Sequence, residues 1–151
     1  MKTLVIGGTE YKIKFGYEAT ARCGVIDNVT ELEDLMEKGE NMKNEDLTTL
    51  LALVPKILVA GLQKFHKDEF GYNYETGEGK DAALNKTFEL VDDYFDENKD
   101  TDIIDLFNLL TEEMVQNGFL AQMLQSGAKT QATAKAQAKK AQTKATKKAT
   151  A

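Results

Sequence analysis

Residues 50–62 restrict the rest of the chain more than any other stretch. Twelve of these thirteen positions are apolar, proline or glycine, and only Lys56 is charged. At about 1.5 Å of rise per residue such a helix falls short of a bilayer, so the stretch predicts a helix buried by its own protein. Leu47, Leu50, Val54, Leu58, Leu62 and Phe65 recur at steps of three and four, which makes one helical face. Leu53, Ile57 and Ala60/Gly61 form a second row beside it, so the helix is apolar on most sides and belongs in mid-core. Pro55 lacks an amide donor. It either kinks one continuous helix or opens the second of two, 45–53 and 55–67.

The flanking segments read as cover for that helix. Residues 3–6 and 10–15 alternate, with Leu4/Ile6 and Tyr11/Ile13/Phe15 on one side, and Gly7-Gly8 between them supplies a tight turn. A lone hairpin is marginal in water, so this one must pack on helices. A short helix over 16–23 ends at Gly24. Thr30 and Glu33 have the spacing of a capping box and open a further helix through Leu32, Leu35 and Met36 that stops at Gly39. Asn44 or Asp46 caps the central stretch. Residues 70–80 read as a loop, and 81–97 as a helix with Leu84, Phe88, Val91 and Phe95 inward and Asp92, Asp93 and Asp96 outward. Thr101 caps the last long helix, whose inner face is Ile103/Ile104, Phe107, Leu110 and Met114; Asn117-Gly118 breaks it. The expected fold is mainly α with a small N-terminal β-hairpin (3–15), an α+β domain over residues 1–127.

Residues 128–151 differ in kind. They contain only Ala, Lys, Gln and Thr, with seven lysines (Lys129, Lys135, Lys139, Lys140, Lys144, Lys147 and Lys148) and no acid. No apolar stripe is available there, so a disordered or frayed-helical basic tail is expected. With those seven set apart from the 19 basic residues, 12 face 25 acids over 1–127, a balance of −13. That body is a poor nucleic-acid binder, and the tail is a separate basic segment, either a solubilising extension or an arm whose lysines are the candidate partner-binding residues. One unpaired cysteine, Cys23, excludes an internal disulfide and suits a reducing compartment. The N-terminal apolar run is too short for a signal peptide, and no segment is expected to enter a membrane.

Candidate chemistry is thin. His66 is the only histidine, so no metal cluster with usual ligand spacing forms around it, and it reads as a surface residue at a helix end, where a cation favours the dipole. Cys23 has no histidine near it in sequence and reads as a small core residue. Residues 96–102 place oxygens like the start of a calcium loop. Yet Thr101 stands where that loop needs Gly, Phe107 where it needs Glu, and Lys99 inside the cage. Gly77-Glu78-Gly79-Lys80 fails as a phosphate loop, because Tyr74 and Asp81 occupy its required Gly and Ser/Thr positions. The acidic helix 89–97 could supply a general acid and base, but such a face is usually solvated. No catalytic, cofactor or metal site emerges, and a non-enzymatic protein is expected.

Two stretches nevertheless form a recognisable pattern. A hairpin runs into Tyr11-Lys12-Ile13-Lys14-Phe15-Gly16-Tyr17-Glu18-Ala19, and the apolar helix ends in Val59-Ala60-Gly61-Leu62-Gln63-Lys64-Phe65-His66. With the acidic helix around 88–95 and a low-complexity end, the layout over about residues 1–125 resembles the tail assembly chaperones of long-tailed bacteriophages and prophages of Gram-positive hosts. The resemblance implies a helical assembly factor of the bacterial cytoplasm that coats the tape-measure protein, recruits major tail-tube subunits and is absent from the finished virion. It also implies a longer frameshifted product, for which Lys139-Lys140 and Lys147-Lys148 mark candidate slip sites, and it is compatible with a homo-oligomer. Helix-in-groove binding suits such a role, with Met36, Met114 and Met123 as adaptable contacts. The competing expectation is a small nucleic-acid-binding or regulatory domain with the lysine tail as a phosphate-contacting arm.

Overall fold

Two glycines in the left-handed region, Gly7 (φ 60°) and Gly8 (φ 79°), turn the N-terminus back on itself. Strand β1 (Lys2–Ile6) pairs antiparallel with β2 (Thr9–Ile13), with Lys2 opposite Ile13 and Ile6 opposite Thr9. Alternation sends Leu4, Ile6 and Ile13 into the core and leaves Val5 exposed on the other face. The computed structural model describes residues 2–121. The tail 128–151, with its seven lysines, lies outside the described residues.

α-Helices follow, six of which lie wholly among the described residues. α1 (Tyr17–Arg22) and α2 (Val25–Glu37) are separated by Gly24, whose φ of 64° makes the turn between them. Thr30 and Glu33 therefore lie inside α2, and no helix opens at Thr30. Val25, Val29, Leu32 and Leu35 are one buried stripe, and burying it extends the helix back past the local capping signal. A single 3₁₀ turn, Gly39–Asn41, leads to α3 (Asn44–Leu62). Asp46 acts from the third helical position rather than as the cap: its Oδ2 accepts the Lys43 N–H at 3.0 Å and its Oδ1 takes the Lys38 ammonium at 3.1 Å. The Lys43 hydrogen bond, then that of Lys38, holds the carboxyl below its usual range.

α3 runs unbroken through Pro55, which is the first of the two alternatives the sequence allows. Proline withdraws the donor that Leu51's carbonyl would have met, and Leu51 is on the exposed side, where water can replace it. Leu50, Val54, Ile57, Leu58 and Leu62 are at most 2% exposed. The helix touches α1, α2, α4 (Lys67–Phe70), α5 (Lys80–Glu97), α6 (Ile103–Asn117) and β2, so it does occupy mid-core. Leu47 and Phe65, the two ends of the predicted stripe, are exposed.

α5 is rotated from its expected orientation. Ala83, Thr87, Leu90 and Val91 are buried, Leu84 and Phe95 are half-buried, and Phe88 is exposed. Thr87 can be fully buried because its hydroxyl donates to the Ala83 carbonyl at 2.8 Å. α6 is capped by Asp102 and not by Thr101: Asp102 Oδ1 accepts the Asp105 N–H at 2.9 Å and Asp105 Oδ2 accepts the Asp102 N–H at 3.1 Å. Leu106, Phe107, Leu110 and Met114 then seal the core from the C-terminal side. Among the described residues no helix is long and apolar enough to cross a membrane.

Candidate functional site

The two-residue turn makes Ile6 and Thr9 a hydrogen-bonded pair, so alternation points the amides of Thr3, Val5, Gly7, Glu10, Lys12 and Lys14 outward from the hairpin. On the β2 side two of these outward donors are taken by the end of α3 and the residues just after it. Lys14 N–H donates to the Gly61 carbonyl at 2.9 Å, and Lys12 N–H donates to His66 Nε2 at 2.9 Å. His66, at the start of α4, thus braces β2 through its side chain rather than standing free at the surface. Its ring stands 5.4 Å from that of Tyr11, which in turn meets Phe70 edge-on at 6.2 Å.

This junction also explains Gly61. A Cβ there would lie 2.9 Å from Ile13 Cγ2 and 2.9 Å from Phe15 Cζ, both on fully buried side chains. Phe15 is further pinned from α6, whose continuation donates the Phe119 N–H to the Phe15 carbonyl at 2.8 Å. On the β1 side, Gly7 N–H donates to Glu97 Oε1 at 2.8 Å and Lys2 N–H to Glu113 Oε1 at 2.9 Å. Glu113 is only 5% exposed, and its Oε2 also accepts from Asn117 Nδ2 at 3.0 Å.

Beside the junction lies a cleft of about 410 Å³, walled by residues 16–19, Gln63, Lys64, Lys67 and Tyr74. Gln63 forms its buried floor: Nε2 donates to the Phe70 carbonyl at 2.9 Å, and Oε1 accepts the Tyr74 hydroxyl. Arg22 sits over the Tyr74 ring, 5.5 Å from its centre, and reaches Glu18 at 3.7 Å. Burial, followed by the charge of Cys23, pushes the Tyr74 phenol up to about 12. Tyr72 donates its hydroxyl to Cys23 Sγ at 3.3 Å and is raised as well, again chiefly by burial. Cys23 is half-buried beneath that contact, as a small packing residue would be.

The other sequence candidates are occupied with structure. Asn98 ends α5, its Nδ2 bonding the Tyr94 carbonyl at 2.8 Å, and Asp102 caps α6; the stretch 96–102 joins two helices. Gly79, at φ 86°, starts α5, and Asn73 Oδ1 takes the amides of Glu75 and Thr76 at 2.9 and 3.1 Å. The Gly77–Lys80 segment is thus the end of a closed turn. Asp92, Asp93 and Asp96 bring carboxylate oxygens within 4.8 Å of one another on the solvent face of α5. Met114 is 3% exposed and cannot offer an adaptable surface, whereas Met36 is half-buried. Met123 and the lysines at 129, 135, 139, 140, 144, 147 and 148 fall outside the described residues. The cleft escaped the sequence reading because Tyr17, Lys64, Lys67 and Tyr74 belong to three separate segments. Compared with known proteins, the chain matches no family model, no curated sequence and no solved structure.

Proposed function

We propose that the chain is a non-enzymatic assembly chaperone of long bacteriophage tails, which binds the tape-measure protein and recruits tail-tube subunits while the tail is built. One observation carries the reading. The stretches that resemble that family, 11–19 and 59–66, are remote in sequence yet form a single packing unit: Lys14 on Gly61, Lys12 on His66, and Ile13 and Phe15 against the bare Cα of Gly61. Pattern and packing agree on the same residues, as expected when a motif encodes a structural unit. Leu47 and Leu51, each 47% exposed and one turn apart on α3, add an apolar pair against which an amphipathic helix can lie. In this role the protein works in the host cytoplasm and leaves before the virion is finished.

Co-expression with the tape-measure protein encoded beside it tests the reading. The expected result is a soluble complex that survives gel filtration, release of the chaperone on adding tail-tube subunits, and no trace of it in purified particles. A tape-measure protein that stays insoluble, or a chain that persists stoichiometrically in virions, rules the role out. Expression of the native gene with its downstream DNA adds a second readout, a minor longer species sharing this N-terminus.

A further inference from the structure

We infer that the cleft between the start of α1, the end of α3 and Tyr74 is a docking site for a carboxylate-bearing, amphipathic segment of a protein partner. Lys64 and Lys67 line the cleft, and neither has an ion-pair partner among the described residues. The acid on the cleft wall, Glu18, is engaged with Arg22. The two lysines bring two positive charges to one cleft of a body that carries 25 acids against 12 bases over 1–127.

The cleft has the other properties of a ligand site. Its volume of about 410 Å³ falls within the roughly 300–1,000 Å³ common for such sites. Its floor is rigid, because both ends of the Gln63 amide are already bonded. Tyr17, 67% exposed and held edge-on by Phe119 at 5.0 Å, offers an apolar ring at the rim. Two cations beside an aromatic surface fit one or two carboxylates followed by an apolar side chain. A nucleic acid fits less well: every further phosphate would meet Glu18 and then the acidic body. The inference rests on the proposed chaperone role only for who supplies the segment; the chemistry of the cleft stands without it.

The test uses the full chain and a fluorescein-labelled 18-residue peptide of Leu, Ala and Glu patterned as an amphipathic helix, read by anisotropy at low salt. A Lys-for-Glu peptide and a dT₂₀ oligonucleotide serve as comparison probes. Binding of the Glu peptide should weaken at least tenfold in Lys64→Glu/Lys67→Glu, and little in Lys86→Glu/Lys99→Glu, which carries the same charge change on α5 and the α5–α6 loop. Both variants alter exposed residues, and their circular dichroism should match the parent. Equal weakening in both variants, no weakening in the first, or tighter capture of dT₂₀ through Lys64 and Lys67 overturns the inference. The tape-measure pull-down separates the two readings. If the charge-reversed cleft still captures that protein fully, the cleft is not its dock. If the Glu peptide needs the cleft but the tape-measure protein is never bound, the docking site stands and the chaperone role falls.

Discussion

Gly61 and Thr20 show how far a single position can depart from its local propensity. Alanine at 61 would gain up to about 1 kcal/mol of helix propensity. Its methyl, however, would enter space held by Ile13 and Phe15, neither of which can retreat from a close-packed core. Gly61→Ala is therefore expected to lose a net ~1–2 kcal/mol, seen as a lower urea midpoint with an unchanged slope. Thr20 is the opposite case. It is 6% exposed, and its hydroxyl is the one fully buried side-chain polar atom without a partner among the described residues. Thr20→Val keeps the shape and removes the unmet hydroxyl, so it should stabilise by about 1–2 kcal/mol. A fall in the thermal midpoint would mean that the hydroxyl has a partner after all.

Elements are placed by contacts that local patterns do not encode. The hairpin, α3 and α6 could be read from periodicity, because Ile13, Leu58 and Leu110 repeat at the step of their own element. The rotation of α5 could not. Its most buried positions include Ala83 and Thr87, one small and the other polar, and the visible stripe through Phe88 misled. The start of α2 was hidden for a related reason: a stripe from Val25 to Leu35 outweighed a capping signal at Thr30. The junction was half visible, since both of its stretches stood out, but nothing local says that Lys12 meets His66. Strand β1 gives a clean test at this scale. Glu97→Ala should speed amide exchange at Gly7 at least tenfold, and Glu113→Ala should do the same at Lys2, because a hydrogen bond to a carboxylate contributes about 1.5–3 kcal/mol. Lys14, bonded to Gly61 on the opposite edge, should remain protected in Glu97→Ala. Uniform acceleration of all three amides would show that the hairpin opens as one piece.

At the scale of the whole molecule, the tyrosines make stability fall in alkali. Tyr74 ionises near 10.0 when unfolded and is pushed up to about 12 when folded; Tyr72 moves in the same direction, and so does Tyr94, through burial and then the charge of Asp105. Above pH 10 the unfolded chain loses phenolic protons that the folded chain keeps. Stability is thus fully present below about pH 10 and declines towards pH 12. Denaturant midpoints measured at pH 8, 10 and 11.5 should be flat across the first interval and drop across the second. Tyr74→Phe should flatten part of that drop, although it also removes the bond to Gln63.

Glu113's hold on Lys2, across 111 positions of chain, has a consequence for synthesis. A ribosome adding about 5–20 residues per second finishes β1 on the order of 5–20 s before its anchor exists. Phe15 likewise waits for Phe119. During that interval the hairpin edge and the apolar face of α3 have no lid from α6, so the nascent chain is most exposed to misassociation just before α6 emerges. A stop codon placed before residue 113 should therefore give a product that aggregates, while one placed after 121 should leave the folded body soluble.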